Sequence, residues 1–374
     1  MIILENYTEF PKVLTSLQAK GSVVVVGNFD GCHLGHRSLL TYAQNLCLSS
    51  DHRLLLTTLT FQPHPRVFFK TLQEDQLFFN EEQKSQVFAS LGVDVHIRQK
   101  FNRRFAELSG QDFIQRFLCL ALAARHVVVG NDFCFGKNRS FNSEKLKVIL
   151  EDLGIACHIR NPALFHNKGV ISSSLLREYS MAGDMAALRH CLGRPLAITG
   201  YSVPGKGLGS KLLYPTANIP LSRDIPIKNG VYQAFVCYGA AVDLLIDPTQ
   251  LWQKDQPYLR ATHSLSGKCI PASTSQTAPY LKIVPALVNK GFSPTLPSVS
   301  ANKRPHLEVY LLEDPARELR GEFFTVWLLK FMRAEKTFTG LELLRNQVRQ
   351  DIAAAKAAFA SSRNHHELDI TKLS

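Results

Sequence analysis

The 374-residue sequence has no long apolar run: its hydrophobic residues (45%) are spread over short stretches, and a bilayer-spanning segment needs about 20 in succession. A membrane span is therefore excluded. "MIILENYTEFP" carries Glu5 and Glu9 and no basic region ahead of an apolar stretch, so it does not read as a secretory signal, and a cytosolic protein is expected. The eight cysteines (Cys32, Cys47, Cys119, Cys134, Cys157, Cys191, Cys237, Cys269) make no C-x-x-C pair and no Cys/His cluster. That argues against a zinc site and against a disulfide framework, and leaves reduced thiols. Acidic residues are in deficit, 31 against 43 lysines and arginines, for a formal charge of +12. The excess favours polyanions, whether nucleic acid, an anionic membrane surface or phosphorylated small molecules. Charge alone does not choose among these, or against a merely solvated basic surface. RGG tracts, a basic helix and an evident strand of stacking aromatics are missing, so nucleic acid is not an expected partner. No internal repeat is visible, and nothing in the pattern fixes an oligomeric state.

What is present divides in two. A chain of this length exceeds what one hydrophobic core usually serves. Up to about Leu192, β-branched runs such as "SVVVVGNF", "RLLLTTLTF" and "HVVVGNDF" alternate with helical stretches, several closed by glycines such as Gly92 and Gly154. The alternation predicts an α/β domain, a parallel sheet wrapped by helices, over 1–192. From 193 to 374 the texture changes to short strands broken by Gly and Pro, including "AITGYSV", "GVYQAFVCY", "PHLEVYLLE" and "FFTVWLLKFM". These predict an antiparallel β-barrel or sandwich, the barrel being preferred. A terminal α-helix follows, its apolar face formed by Leu341, Leu344, Val348, Ile352, Ala355 and Phe359. The polar stretch from Asp247 to Pro279 is too long for an ordinary connection and reads as a mobile insertion.

The chemistry concentrates first in "VVVVGNFDGCHLGHRSLL", Val23 to Leu40. In an open α/β sheet, ligands bind beyond the carboxyl ends of the strands, where this loop falls. Gly27, Gly31 and Gly35 admit a ligand close to the backbone, and a helix beginning near His36 turns free N–H groups and a partial positive charge toward it. Two imidazoles, His33 and His36, spaced H-x-x-H at the mouth of an anion site, can donate to nucleotide phosphates as charge grows on the phosphorus oxygens. A metal-ligand role is weaker, because no carboxylate or cysteine stands at supporting spacing.

H-x-G-H directly after strand-G-x-F-D-G resembles the signature of the nucleotidyltransferase superfamily, which includes cytidylyltransferases, adenylyltransferases and class I aminoacyl-tRNA synthetases. "TTLTFQPHP" (57–65), "VVVGNDFCFGKNRS" (127–140) and "ISSSLLREYSMAGD" (171–184) fall in the order seen in the prokaryotic bifunctional riboflavin kinase/FMN adenylyltransferase family, a resemblance that covers nearly the whole chain. It implies a nucleotide cradle at Gly27, Asn28, Phe29, Asp30 and Gly31, and a flavin pocket with Phe61, Pro63, His64, Pro65, Asp132 and Phe133. Ser172, Ser173, Ser174 and Arg177 stand where the family holds the ATP phosphates. A serine at a helix start both caps it and donates to phosphate, and Arg177 one turn on supplies charge.

"LGRPLAITGYSVPGKGLGSKLLYPTANI", 192–219, resembles the opening of the family's riboflavin kinase domain. Thr216 and Asn218 alternate along an extended segment, so both point to one face with oxygen donors for magnesium, and Gly205, Gly207 and Gly209 precede them as a phosphate-wrapping loop. "HLEVYLLED" resembles the family strand whose first glutamate is the general base, which implies Glu308. Here the sequence departs from the family pattern at Ser210, Leu213, Tyr310 and Arg320. The resemblance implies a cytosolic enzyme that uses ATP and Mg2+ to phosphorylate riboflavin in its C-terminal half and to adenylylate FMN in its N-terminal half. The alternative is a monofunctional FMN adenylyltransferase with a degenerate kinase module.

Overall fold

The computed structural model describes residues 1–165, 169–204, 216–253, 258–260, 280–292, 305–313, 315, 319–339 and 341–364. The chain forms two compact units, Met1–Leu176 and Arg177–Ser374, the division falling inside the helix Ser173–Ala182.

In the first unit six strands run parallel, with Gly21–Val26 between Leu54–Gln62 on one side and Ala124–Gly130 on the other. Val95–Lys100 and Ile2–Leu4 extend the sheet beyond the first neighbour, and Ala156–Arg160 beyond the second. The four valines explain the central strand. Val23 and Val25 pack with Leu40, Ala43 and Phe88 on one face, while Val24 and Val26 pack with Leu55, Phe113 and Phe117 on the other. A strand buried on both faces needs continuous β-branched residues rather than alternation. From Gly21–Val26 the chain winds outward in one direction, then crosses back to Ala124–Gly130 and continues the other way. The carboxyl ends of these two strands therefore flank the switch point, where open sheets bind ligands.

In the second unit six strands form one antiparallel sheet, in the order Thr216–Pro220, Pro305–Leu311, Val284–Phe292, Gly230–Tyr238, Phe323–Arg333, Leu196–Tyr201. A bridge between Val203 and Asn218 joins the first strand back to the continuation of the last, curling the sheet toward a barrel. Gly200 permits that closure, since a Cβ there would stand 2.5 Å from Cγ2 of Ile219. Ala217, Ile219, Leu307, Val309, Val288, Tyr232, Ala234, Phe324 and Val326 fill the interior, all buried. The terminal helix Leu341–Asn364 lies on the outer face, where Val348, Ile352 and Ala355 cover Val231, Leu287 and Tyr310. Phe359 meets Phe235 at 5.0 Å.

The stretch read as a mobile insertion carries structure where it is described. Pro248–Gln253 is a helix, anchored when the Trp252 ring packs at 5.2 Å from Phe235, and Tyr258–Arg260 pairs with Tyr280–Lys282. Composition alone hid this, because one buried tryptophan suffices to dock a short polar helix. Residues 261–279 lie outside the described residues.

Candidate active sites

The loop after Val26 is built under backbone strain. Phe29 (φ 55°), Gly31 (φ 76°) and Cys32 (φ 42°) all lie in the left-handed region, rarely adopted by a bulky residue such as phenylalanine and common at functional sites. Side chains hold it there. Phe29 is fully buried, its ring 5.1 Å from Phe88 and 5.1 Å from His36. The buried Asp30 carboxylate accepts from the backbone N–H groups of Phe78 (2.8 Å) and Phe79 (3.3 Å). Ser173 Oγ donates to the Asp30 carbonyl at 3.0 Å. A side chain at Gly31 would meet Leu176 Cδ1 at 3.0 Å, so helix Ser173–Ala182 approaches the loop directly.

His33 caps the helix Leu34–Leu48, its Nδ1 accepting from the His36 N–H at 3.3 Å. A neutral imidazole that accepts at Nδ1 carries its proton at Nε2, so His33 is set as an Nε2–H donor. The two rings stack, centroids 3.7 Å apart and 16° from parallel. Burial first, then the charges of His33 and Lys84, hold the His36 pKa well below the usual value, so this imidazole is neutral and still donates one N–H. His36 Nδ1 and Asn28 Oδ1 are buried without a hydrogen-bond partner. At the neighbouring helix, Ser172 Oγ accepts from the Leu175 N–H at 3.2 Å, Ser174 is exposed and Arg177 is half-buried one turn on.

Phe61, next to last in its strand, sits in an aromatic group with Phe101 (5.9 Å) and Phe105 (5.4 Å), joined through Phe101 by Phe68 and the exposed Phe69. The Gln62–Pro63 peptide is cis, Pro63 is exposed, and His64 caps the short helix Pro65–Phe68 through Nδ1, 3.1 Å from the Arg66 N–H. Asp132 is exposed at the carboxyl end of Ala124–Gly130, and Phe133 stacks on Phe135 at 5.2 Å. These residues sit on loops after the strands neighbouring Gly21–Val26, as the sequence order implies.

In the second unit, Asn218 stands opposite Glu308 and Glu308 opposite Asn289, while Thr216 stands opposite Tyr310 and Tyr310 opposite Leu287. Residues paired across strands, and those two apart along one strand, share a face. Thr216, Asn218, Glu308, Tyr310 and Asn289 thus form one polar group, half-buried except for the buried Tyr310. The Tyr310 hydroxyl donates to the Glu308 carboxylate, and burial followed by that carboxylate pushes the phenol pKa far up. The sequence pattern marks Tyr310 only as a departure from the family strand. The available signal was the strand period, which puts Tyr310 on the face of Glu308. Gly205, Gly207 and Gly209, with Ser210 and Leu213, lie outside the described residues; Arg320 is exposed.

The FAD synthetase family matches residues 15–175 and the riboflavin kinase family residues 192–359. A bifunctional riboflavin kinase/FMN adenylyltransferase of Escherichia coli strain K12 is 30% identical over 351 residues, covering 94% of this chain and 96% of that protein. The chain belongs to the bifunctional riboflavin kinase/FMN adenylyltransferase family. A protein of the same description from Buchnera aphidicola subsp. Schizaphis graminum is 29% identical over 339 residues, covering 90% of this chain and 94% of its own length. A crystal structure described as a macrolide-efflux protein from Streptococcus pneumoniae superimposes with a TM-score of 0.67 at 23% identity, over 95% of this chain and 98% of that one, and supports the fold alone. Both enzymatic domains of the family are present, so a single-activity adenylyltransferase is not favoured. Among the described residues no helix is long and apolar enough to cross a membrane.

Proposed function

We propose that the chain makes FMN from riboflavin and ATP in its C-terminal half and FAD from FMN and ATP in its N-terminal half, in the cytosol, with the functional limit between the halves after Leu192. In adenylyl transfer an oxygen of the FMN phosphate attacks the α-phosphorus of ATP, and pyrophosphate leaves. His33, fixed as an Nε2–H donor, and the neutral His36 donate to phosphate oxygens as charge grows on them, and the N-terminus of helix Leu34–Leu48 adds its dipole. Ser172, Ser173, Ser174 and Arg177 hold the phosphates, and Gly27, Asn28, Phe29, Asp30 and Gly31 form the cradle. The aromatic group around Phe61, with Pro63, His64, Pro65, Asp132 and Phe133, takes the isoalloxazine.

In the second half Glu308 accepts the proton of the ribityl 5′-hydroxyl. The oxygen bonds to the γ-phosphorus, the β–γ bridging P–O bond breaks, and ADP leaves. The Tyr310 hydroxyl steadies the carboxylate. Thr216 and Asn218 offer two neutral oxygens on the face of Glu308, a donor set suited to magnesium, which prefers oxygen ligands and completes its shell with substrate phosphates and water. Bound there, the ion would neutralise phosphate charge. The observation that carries the reading is the in-register row Asn218, Glu308, Asn289, because it joins in one place polar residues from three separate stretches. The test incubates pure protein with Mg-ATP and either riboflavin or FMN, and separates products by chromatography. FMN and then FAD are expected from riboflavin, and FAD from FMN; riboflavin left unchanged would end the kinase reading.

A further inference from the structure

Two buried polar atoms flank Glu308 without a hydrogen-bond partner: Asn289 Oδ1 across the ladder, and Nδ1 of His306, two residues before Glu308 on its own strand. Native structures leave few such atoms unmade, and here two fall on one face beside the reacting carboxylate. His306 stands opposite Pro220 on one neighbouring strand and Gly291 on the other. Neither supplies a polar side chain. Over Gly291 lies the Glu335 carboxylate, since a Cβ at that glycine would fall 1.8 Å from Glu335 Oε1. The face thus runs from Tyr310 through Glu308 to His306, with Asn289 alongside and Glu335 at its end.

The chemistry of the atoms this row leaves open is one-sided, since the Tyr310 hydroxyl is already given to Glu308. A carboxylate and an amide oxygen only accept, and an imidazole nitrogen without its proton accepts as well. A row of acceptors is complemented by a chain of donors. Strands lie about 4.8 Å apart and alternate residues about 6.8 Å along one strand. That spacing suits a ligand with several hydroxyls on successive carbons, which a planar aromatic ring does not offer.

We propose that His306 is a riboflavin-binding residue of the kinase half. Its imidazole nitrogen accepts from a ribityl hydroxyl while the terminal hydroxyl is delivered to Glu308, and Asn289 Oδ1 accepts from another. The inference rests on the kinase reading of the second half. It adds that selection of the polyol chain is made by His306, on the opposite side of Glu308 from Tyr310.

The test measures riboflavin binding by quenching of flavin fluorescence, and riboflavin phosphorylation by product analysis, in the full chain and in His306→Ala and His306→Gln. His306→Ala is expected to raise both Kd and KM for riboflavin roughly tenfold, the scale of one hydrogen bond, with kcat and KM for ATP little changed. His306→Gln, which offers an amide oxygen, should restore part of the loss. Lumiflavin, which carries the ring system without the polyol, should bind parent and variant alike. Unchanged riboflavin affinity in His306→Ala would overturn the proposal, and so would an equal loss of lumiflavin binding, which would mark a general structural defect. Should His306→Ala not fold, the same comparison is made with His306→Gln, for which a loss confined to riboflavin supports the proposal and equal losses refute it. Parent protein that binds riboflavin without phosphorylating it would refute the kinase reading and leave the binding comparison intact.

Discussion

The two halves differ in the hydrogen-bonding character of the polar groups they bring together. At the carboxyl end of the parallel sheet the groups are donors: the imidazole N–H of His33 and of His36 and a helix N-terminus. On the outer face of the antiparallel sheet they are acceptors: Glu308, Asn218 and Asn289. The difference follows from the chemistry. Adenylyl transfer builds negative charge on phosphate and needs fixed donors, whereas phosphorylation of an alcohol begins by removing a proton and needs a base. Topology supplies each. Parallel strands end in loops that feed helix N-termini, and an antiparallel ladder aligns side chains from distant segments in rows.

The largest effects separate the halves outright. His36→Ala should cut FAD formation from FMN by about a hundredfold to a thousandfold, the scale of one preorganised donor, while FMN still accumulates from riboflavin. Glu308→Ala should lower riboflavin phosphorylation by roughly a hundredfold or more and spare adenylylation of FMN. Each variant assayed with each substrate gives four rates. If either variant slows both reactions equally, the assignment of donors to one half and acceptors to the other is wrong.

A smaller effect sharpens the acceptor side. Tyr310→Phe keeps the ring packed against Val348 and Ile352 but removes the hydroxyl that donates to Glu308. Losing a hydrogen bond to a charged group should slow riboflavin phosphorylation about tenfold and leave FAD formation from FMN unchanged. In a Glu308→Ala background the same substitution should add nothing, because the partner is gone. A full additional tenfold loss there would show that Tyr310 acts on something other than Glu308.

The sequence made some of this legible and hid the rest for physical reasons. The valine run and H-x-G-H were readable because a doubly buried strand and a helix start each leave a local pattern. The apolar face of the terminal helix was readable too, and Val348, Ile352, Ala355 and Phe359 are buried as its period required. Cross-strand register is not local. That Asn289 and His306 flank Glu308 depends on how strands far apart in sequence align, and no spacing in the chain announces it. Nor does any motif say that His33 Nδ1 is occupied by the His36 N–H, which decides the nitrogen that donates.

The last contrast concerns stability and leaves both reactions at neutral pH untouched. His96 is fully buried in the first unit, its ring nitrogens 2.9 Å from Thr60 Oγ1 and 2.9 Å from Ser85 Oγ, with Arg98 donating to Ser85 Oγ at 2.7 Å. Burial first, then the charges of Lys84 and Arg98, push its pKa down to about 2. An unfolded histidine titrates near 6.5, so below that pH the unfolded chain takes a proton that folded His96 refuses. The stabilising contribution is therefore complete above about pH 6.5 and is lost as pH falls toward 2, at about 1.4 kcal/mol per pH unit. Among the described residues the second unit has no fully buried histidine, so acid should weaken the first half more. Both tryptophans, Trp252 and Trp327, lie in the second unit, so their fluorescence follows that half in urea while far-UV circular dichroism follows both. Between pH 7 and pH 5 the dichroism midpoint should fall further than the fluorescence midpoint, and His96→Gln should reduce the difference. Coincident midpoints that shift together would mean that the halves unfold as one, and the contrast in stability would not survive.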